Sequence, residues 1–163
     1  MTGGERAPAG EAAPAGEADV AHGVAGLEIG APRVGIVMGS ETDMPVMEKA
    51  AAELSVRGIA HELRVMSAHR DPDVVADYAG NAKSRGLRVI IAGAGLAAAL
   101  PGVVAAHSEL PVIGVPLLSK TSVAGGLDAL LAIAQMPPGV PVACVGVDGA
   151  RNAAVLAARI IDS

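Results

Sequence analysis

Residues that could bind an anion follow the first apolar segment of the chain. The segment VGIVMGSETDMP, residues 34–45, ends its apolar run in Gly39 and Ser40 and then adds Thr42 and Asp43. A glycine lets a ligand approach the backbone closely, and N–H groups at the start of a helix attract anions. These residues suit a phosphate, with Asp43 placed to hold a sugar hydroxyl. A tight turn in which Ser40 and Asp43 cap a helix explains the same residues equally well.

A second polar group follows the next apolar segment and is more informative. It reads Ser67, Ala68, His69 and Arg70. The guanidinium of Arg70 is a planar set of donors suited to phosphate or carboxylate, and an imidazole such as that of His69 can move protons near neutral pH. The alternative is structural, with Ser67 or Asp71 capping a helix and Arg70 pairing with a carboxylate. The pattern favours the functional interpretation.

A glycine-rich segment follows the third apolar run. Gly93, Ala94 and Gly95 resemble part of a dinucleotide-binding fingerprint, but the third glycine of that fingerprint is missing at the required spacing. The segment is therefore a weak signal for a nicotinamide cofactor. It is a reasonable place for the backbone to approach a flat ligand.

The remaining histidines and the cysteine are interpreted as structural. His61 and His107 are predicted to be structural or exposed, and His22 to be without a role. Cys144 lies in an apolar segment and is predicted to be a core residue rather than a nucleophile. No group of histidines, cysteine and acids has the spacing of a metal site, so no metal is expected.

The elements that must position these residues alternate between strand and helix. Continuous apolar strands separated by helices are typical of a parallel sheet covered on both faces, so we predict an α/β fold with three α/β/α layers and a flavodoxin-like or Rossmann-like sheet. Ligands of such sheets bind beyond the carboxyl ends of the strands, where the three polar groups would meet. Strands are predicted at 34–38, 60–66, 87–92, 111–115 and 141–145; helices at about 43–57, from Pro72 to before Gly86, after Gly95, at 127–134 and at 150–161; and a long loop at 116–126.

Composition limits the class of protein. The chain has 163 residues, of which 52% are hydrophobic and 1% aromatic, and a net charge of −5. A basic stripe and stacking aromatics are absent, which argues against a nucleic-acid partner. A single cysteine and the lack of a long apolar segment predict a cytoplasmic protein without a membrane span. Residues 1–31, rich in Ala, Gly, Pro and Glu, are predicted to be a disordered tail, and residues 32–163 a single domain.

Five segments together resemble the PurE family. They are MGSETDMP, VMSAHRDPD, VIIAGAGLAAALPG, PVIGVP and LDALLAIAQMPPGVPVA. In the family they appear in the same order as GSxSD, SAHR, AGAGGAAHLPG, GVP and SIVQMP. The resemblance covers residues 33–161, which is the whole predicted domain. Several motifs in register are far more specific than any one of them.

The resemblance implies an activity and a role for each site residue. Family members act in purine biosynthesis without a metal or another cofactor, assemble as octamers, and move the carboxylate of N5-carboxyaminoimidazole ribonucleotide from nitrogen to C4 of the imidazole. The implied roles are phosphate binding for Gly39, Ser40, Ser67 and Arg70; contact with the ribose and carboxylate for Thr42 and Asp43; general acid and base for His69; and the base and carbon dioxide pocket for Ala68, Gly93, Ala94 and Gly95.

The sequence departs from the family pattern at three places. Leu96 replaces the second glycine of the usual pair, and Ala99 replaces the usual histidine, both where the family handles the base. The loop 117–126 looks longer than usual and carries Ser119, Lys120 and Thr121, a candidate second anion-binding cluster. Typical bacterial members also continue into a further helix that packs on neighbouring subunits, and its absence here weakens the prediction of an octamer.

These departures leave three hypotheses. The first is the family's mutase reaction on a small nucleotide substrate. The second is a paralogue in nucleoside natural-product biosynthesis, such as a transferase joining PRPP to a carboxylated deazapurine-like base; Lys120 and Thr121 would then hold pyrophosphate, and Mg²⁺ would be expected. The third is a non-catalytic nucleotide-binding homologue. An Ala-rich sheet protein with few charges is in each case expected to form a homo-oligomer.

Overall fold

A computed structural model describes residues 30–163. The predicted tail therefore lies, apart from its last two residues, outside the described residues, as does His22. Two short 3-10 turns, Glu41–Asp43 and Val123–Gly126, precede α1 and α4. The elements are β1 Val34–Met38, α1 Met44–Val56, β2 His61–Val65, α2 Pro72–Asn81, β3 Val89–Gly95, α3 Leu100–His107, β4 Val112–Leu117, α4 Leu127–Ala134, β5 Ala143–Cys144 and α5 Ala150–Ile161.

The five strands form one parallel sheet in the order β2-β1-β3-β4-β5. This is the flavodoxin-like order, in which β1 and β3 are neighbours. Strand β2 lies on one side of β1, and β3, β4 and β5 follow in turn on its other side. Residues of α1 and α5 pack in one apolar cluster on one face, and residues of α2, α3 and α4 pack in a second cluster on the other. The predicted three-layer α/β/α fold is confirmed.

Small side chains bring the helices close to the sheet. Ala150, Ala153, Ala154 and Ala157 of α5 are fully buried and form one side of the first cluster. Glu53 is the charged residue buried among the α1 positions, and it accepts hydrogen bonds from Arg57 Nε at 2.8 Å and from Arg151 Nε at 2.7 Å. These hydrogen bonds, first from Arg151 and then from Arg57, hold the pKa of Glu53 below its ordinary value. The pair of Glu53 with Arg151 links α1 to α5.

Several predicted boundaries and one predicted core residue need correction. Strand β3 continues to Gly95 and β4 to Leu117, because each has a parallel neighbour to pair with along this length. Strand β5 is only two residues long and lies at the edge of the sheet. The prediction that Cys144 is a core residue is wrong, because on this short edge strand the cysteine is exposed.

The buried face of α2 is narrow. Val75, Tyr78 and Ala79 of α2 are buried, as is Ala82 directly after it. Val74 is 55% exposed although it is apolar. The buried positions recur at intervals of three and four, and this helical period places Val74 beside the buried face rather than on it.

Candidate functional site

A cavity of about 340 Å³ opens at the carboxyl end of the sheet. Loops that follow β1, β2, β3 and β4 all contribute to it, as expected for a parallel sheet. The residues that line it are Gly39, Ser40, Thr42, Asp43, Ser67, Ala68, His69, Arg70, Ala94, Gly95, Leu96, Ala98, Ala99, Leu100 and Ser119.

The loop after β1 is organised by Ser40. Its Oγ accepts a hydrogen bond from the Thr42 backbone N–H at 3.3 Å and another from Thr42 Oγ1 at 2.9 Å. The Ser40 carbonyl accepts from the Asp43 N–H at 3.0 Å. Ser40 thus caps the 3-10 turn, as the structural interpretation of this residue predicted. Its hydroxyl also lines the cavity.

Asp43 does not cap α1 with its side chain. It occupies the position before the helix, but its carboxylate makes no capping hydrogen bond there. Partial burial raises the pKa of Asp43, and a hydrogen bond from the Ser40 backbone offsets part of this rise. A carboxylate that is partly desolvated at the wall of a cavity is more often functional than one on an open surface.

The loop after β2 is tied to the loop after β1 by an arginine. Arg70 Nη2 donates to the Gly39 carbonyl oxygen at 2.6 Å. The Arg70 backbone N–H donates to Ser67 Oγ at 3.3 Å, and Ser67 itself is 8% exposed. These contacts hold the Arg70 guanidinium and the Ser67 hydroxyl beside the Gly39–Ser40 backbone, where one anion could meet all of them.

His69 stands in the same loop with its side chain exposed to the cavity. Among the residues that line the cavity, Asp43 supplies a carboxylic acid and His69 an imidazole. Ala99, where the family pattern has histidine, also lines the cavity and supplies no proton carrier. Among the histidines of residues 30–163, His69 is the one that lines the cavity, on which Asp43 also borders.

The turn between β3 and α3 forms the apolar part of the cavity. A Cβ on Gly95 would meet the Leu117 carbonyl oxygen at 2.9 Å, so glycine is required by the close approach of β4. Leu96 and Ala98 have φ values of +54° and +35°, which side-chain-bearing residues rarely adopt. Leu96 is 46% exposed although it is a large apolar residue.

Gly93 is a predicted site residue that lies outside the cavity lining. It lies inside β3, paired with Met38, and does not line the cavity. A Cβ on Gly93 would collide with the sulfur of Met47, so this glycine permits α1 to pack on the sheet. Ala98 and Leu100 line the cavity although the sequence analysis did not include them. Their place directly beside Ala99 was the available signal.

The predicted second anion loop is only partly at the cavity. Ser119 lines it, whereas Lys120 and Thr121 do not. Ser119 N–H donates to Ser122 Oγ at 2.9 Å, and the Ser119 hydroxyl lies 3.2 Å from that of Ser122 and 3.5 Å from that of Thr121. The hydroxyl groups therefore bond to one another and shape the loop.

A larger groove of about 500 Å³ lies between the ends of α2 and α3, away from the predicted site residues. Lys83 Nζ bonds to Glu109 Oε2 at 2.6 Å on its wall, and both side chains are mostly exposed. Polar residues line it, namely Lys83, Ser84, His107, Ser108 and Glu109. Its size does not make it the better candidate, because it lies away from the carboxyl ends of the strands, where ligands of parallel sheets bind. Over residues 30–163, no three potential ligands among His, Cys, Asp and Glu cluster as a metal site, and none of the helices has the length and apolarity to cross a bilayer.

Comparison with known proteins decides the family. The family model described as AIR carboxylase matches residues 33–163. This chain belongs to the AIR carboxylase family. The PurE resemblance predicted from the five segments is confirmed.

Relatives of known name agree with this assignment. An N5-carboxyaminoimidazole ribonucleotide mutase from Pyrococcus abyssi is 56% identical over 135 residues, which cover 83% of this chain and 76% of that protein. The enzyme of the same name from Thermotoga maritima is 58% identical over 130 residues, covering 80% and 75%. The crystal structure of Treponema denticola PurE is similar with a TM-score of 0.71 and 34% identity, covering 80% of each chain.

Proposed function

We propose that this AIR carboxylase family member is an N5-carboxyaminoimidazole ribonucleotide mutase, the activity that names its relatives at 56% and 58% identity. It would move the carboxylate of its substrate from the exocyclic nitrogen to C4 of the imidazole. The observation that carries the proposal is the meeting of Ser40, Ser67, Arg70 and His69 in one cavity. Two loops supply these groups, and their residues Ser40 and Ser67 are 27 residues apart in the sequence.

The substrate's 5′-phosphate would bind where the first two loops meet. Arg70 uses one guanidinium N–H to hold the Gly39 carbonyl, and the guanidinium has five such donors in all. Ser40 and Ser67 add two hydroxyl groups on the same wall. An anion held by a guanidinium and hydroxyl donors is a charge-assisted arrangement, which is stronger than one between neutral groups.

His69 would carry the proton that the reaction needs twice. When the imidazolium protonates the carbamate nitrogen, the bond from that nitrogen to the carboxyl carbon breaks and carbon dioxide forms. C4 then attacks the carbon dioxide, and the neutral imidazole of His69 takes the C4 proton. The proton that His69 gives to the nitrogen is thus replaced by the proton from C4. Neither ATP nor a redox cofactor is required, and we propose that the enzyme needs no cofactor. Holding both fragments together replaces a bimolecular encounter.

The test is direct turnover. The purified chain is incubated with N5-carboxyaminoimidazole ribonucleotide, and formation of the C4 carboxylate is followed by absorbance against an enzyme-free sample. We expect turnover that the His69→Asn variant lowers by about 10²-fold or more, in the range of general acid–base catalysis. A rate no higher than the enzyme-free rate rejects the mutase. Equal activity of His69→Asn would instead favour a nucleotide-binding role without catalysis by this residue.

The PRPP-dependent alternative gains no support from the site. It required Lys120 and Thr121 to hold pyrophosphate, and neither residue lines the cavity. We therefore propose no Mg²⁺ and no role in nucleoside antibiotic biosynthesis.

We also propose that the enzyme acts in the cytoplasm as a homo-octamer. Val123, Leu127 and Leu131 are 66%, 47% and 43% exposed. The spacing of four places Leu127 and Leu131 on one side of α4, and Val123 lies in the 3-10 turn directly before this helix. A row of exposed apolar side chains of this kind supports contact with another copy of the chain.

A further inference from the structure

Leu96 combines an unfavourable backbone conformation with an unburied side chain. Its φ is +54°, and its side chain remains 46% exposed at the cavity wall. Glycine, which stands here in the family pattern, would adopt the same φ without steric cost. Core packing does not account for the leucine, because the side chain is not in either buried cluster. Residues held in such conformations tend to occur at functional sites.

Leu96 lies further along the strand direction than the end of β1. Strand β3 continues two residues beyond Gly93, the residue that pairs with the last residue of β1. The turn that begins at Leu96 therefore starts further out than the end of β1. The other apolar residues of the lining are smaller, apart from Leu100, which is 2% exposed and belongs to the core. Leu96 is the large apolar side chain of the lining that remains accessible to a ligand.

We propose that Leu96 is a positioning residue that covers the imidazole end of the bound substrate and retains carbon dioxide between its release and its capture by C4. This inference rests on the mutase function proposed above. Carbon dioxide is apolar and makes few hydrogen bonds, so an apolar cover hinders both its escape and the entry of water.

The chemistry gives this role a measurable consequence. Once the carbamate nitrogen is protonated and its bond to the carboxyl carbon breaks, the carbon dioxide has two fates. Capture by C4, with loss of the C4 proton, gives the C4 carboxylate. Escape leaves aminoimidazole ribonucleotide. In this net reaction, the carbamate and one proton give the amine and carbon dioxide. The ratio of the two products reports how well carbon dioxide is retained.

The test compares this ratio in Leu96→Gly, Leu96→Ala and Leu96→Met with that of the unmodified enzyme. Reactions run with N5-carboxyaminoimidazole ribonucleotide in ¹³C-labelled bicarbonate with carbonic anhydrase present. We expect Leu96→Gly and Leu96→Ala to raise both the proportion of decarboxylated product and the label in the C4 carboxylate by about tenfold, which corresponds to a small change in the relative barriers. Leu96→Met keeps the apolar bulk and should stay within about threefold of the unmodified enzyme.

Val56→Ala is the matched control, because Val56 is an 85% exposed apolar residue at the far end of α1 and outside the cavity. It should leave both readouts unchanged. Leu96→Gly should melt at the same temperature as the unmodified protein or higher, which excludes misfolding as the cause of an altered ratio.

Two results separate failure of this inference from failure of the proposed function. If the unmodified enzyme forms no C4 carboxylate, the mutase function fails and the role of Leu96 fails with it. If the unmodified enzyme is active and Leu96→Gly has the same product ratio and label content, the role of Leu96 alone is overturned. A change in oligomeric state with an unchanged ratio also overturns it, and would assign Leu96 to a contact between subunits.

Discussion

Arg70 has two tasks at this site, and both depend on the geometry of the guanidinium. It bonds to the Gly39 carbonyl oxygen at 2.6 Å, and its remaining donors can meet the substrate phosphate. A lysine ammonium is a compact charge on a flexible stem and cannot reproduce two directions of donation from one rigid plane. We therefore propose that Arg70 binds the ligand in addition to joining the two loops.

Arg70→Lys should raise KM for the nucleotide by about tenfold, in keeping with the loss of about 1.5 kcal/mol expected for one charge-assisted hydrogen bond. The value of kcat should fall less, because His69 is unchanged. Steady-state kinetics over a range of substrate concentrations gives both constants. A KM within twofold of the unmodified enzyme would show that the phosphate binds elsewhere.

Asp43 is expected to reduce stability at neutral pH. Burial raises the pKa of Asp43 in the folded protein above its ordinary value of 3.8. A raised folded-state pKa means that the favourable contribution of this group is present at low pH, below 3.8, and is lost as the pH rises through the folded-state pKa.

Asp43→Asn should therefore gain stability at pH 7 relative to the unmodified protein, and the gain should shrink at pH 3. Urea unfolding at the two pH values measures the difference, and activity should fall in the same variant because the carboxylate is lost from the site. If the difference in stability between Asp43→Asn and the unmodified protein is the same at both pH values, the charge of Asp43 does not destabilise the fold.

At the scale of elements, the packing of α2 on the sheet depends on a glycine in β1. A Cβ on Gly35 would collide with Tyr78 Oη and would lie 3.2 Å from Leu87 Cδ1. Tyr78 Oη in turn donates to Glu62 Oε1 at 2.8 Å, and burial, followed by the charge of Glu62, raises the pKa of Tyr78. Glu62, which pairs with Gly35 on the neighbouring strand β2, thus holds the phenol in place, so the ring cannot easily move away from the glycine.

Gly35→Ala should destabilise the protein by about 1–3 kcal/mol, the usual cost of overpacking a well-filled core. Chemical unfolding gives the change in free energy. Gly146→Ala is the matched control, because a Cβ there would meet nothing within 4 Å. A loss of stability in the control equal to that in Gly35→Ala would contradict the proposed collision.

At the scale of the whole molecule, the row of Val123, Leu127 and Leu131 is the feature that a single chain leaves unexplained. Leu118, which is 53% exposed, comes shortly before the row in the chain. Leucine side chains that are exposed to water do not stabilise the protein. Covering them with a second copy of the chain removes their apolar area from solvent, which is favourable. We therefore expect the row to be covered by another copy of the chain.

Leu127→Glu should lower the mass measured by light scattering at micromolar concentration, because a buried, unpaired carboxylate is costly at an interface. Val56→Glu places the same charge at an 85% exposed position away from the row and should leave the mass unchanged. A monomeric unmodified protein would contradict the oligomer, and an oligomer unaffected by Leu127→Glu would place the interface elsewhere.

The amino-acid sequence by itself determined the family, the alternation of elements and which loops meet at the site. This was accessible because parallel strands place all their carboxyl ends at one edge, so residues such as Ser40, Ser67 and His69 converge once the alternation is known. The tertiary structure alone decided the strand order, the assignment of Gly93 to helix packing, the distance of Lys120 from the cavity and the exposure of Cys144. Each of these depends on which element lies beside the residue in space, and contacts between elements distant in sequence leave no local periodicity from which to predict them.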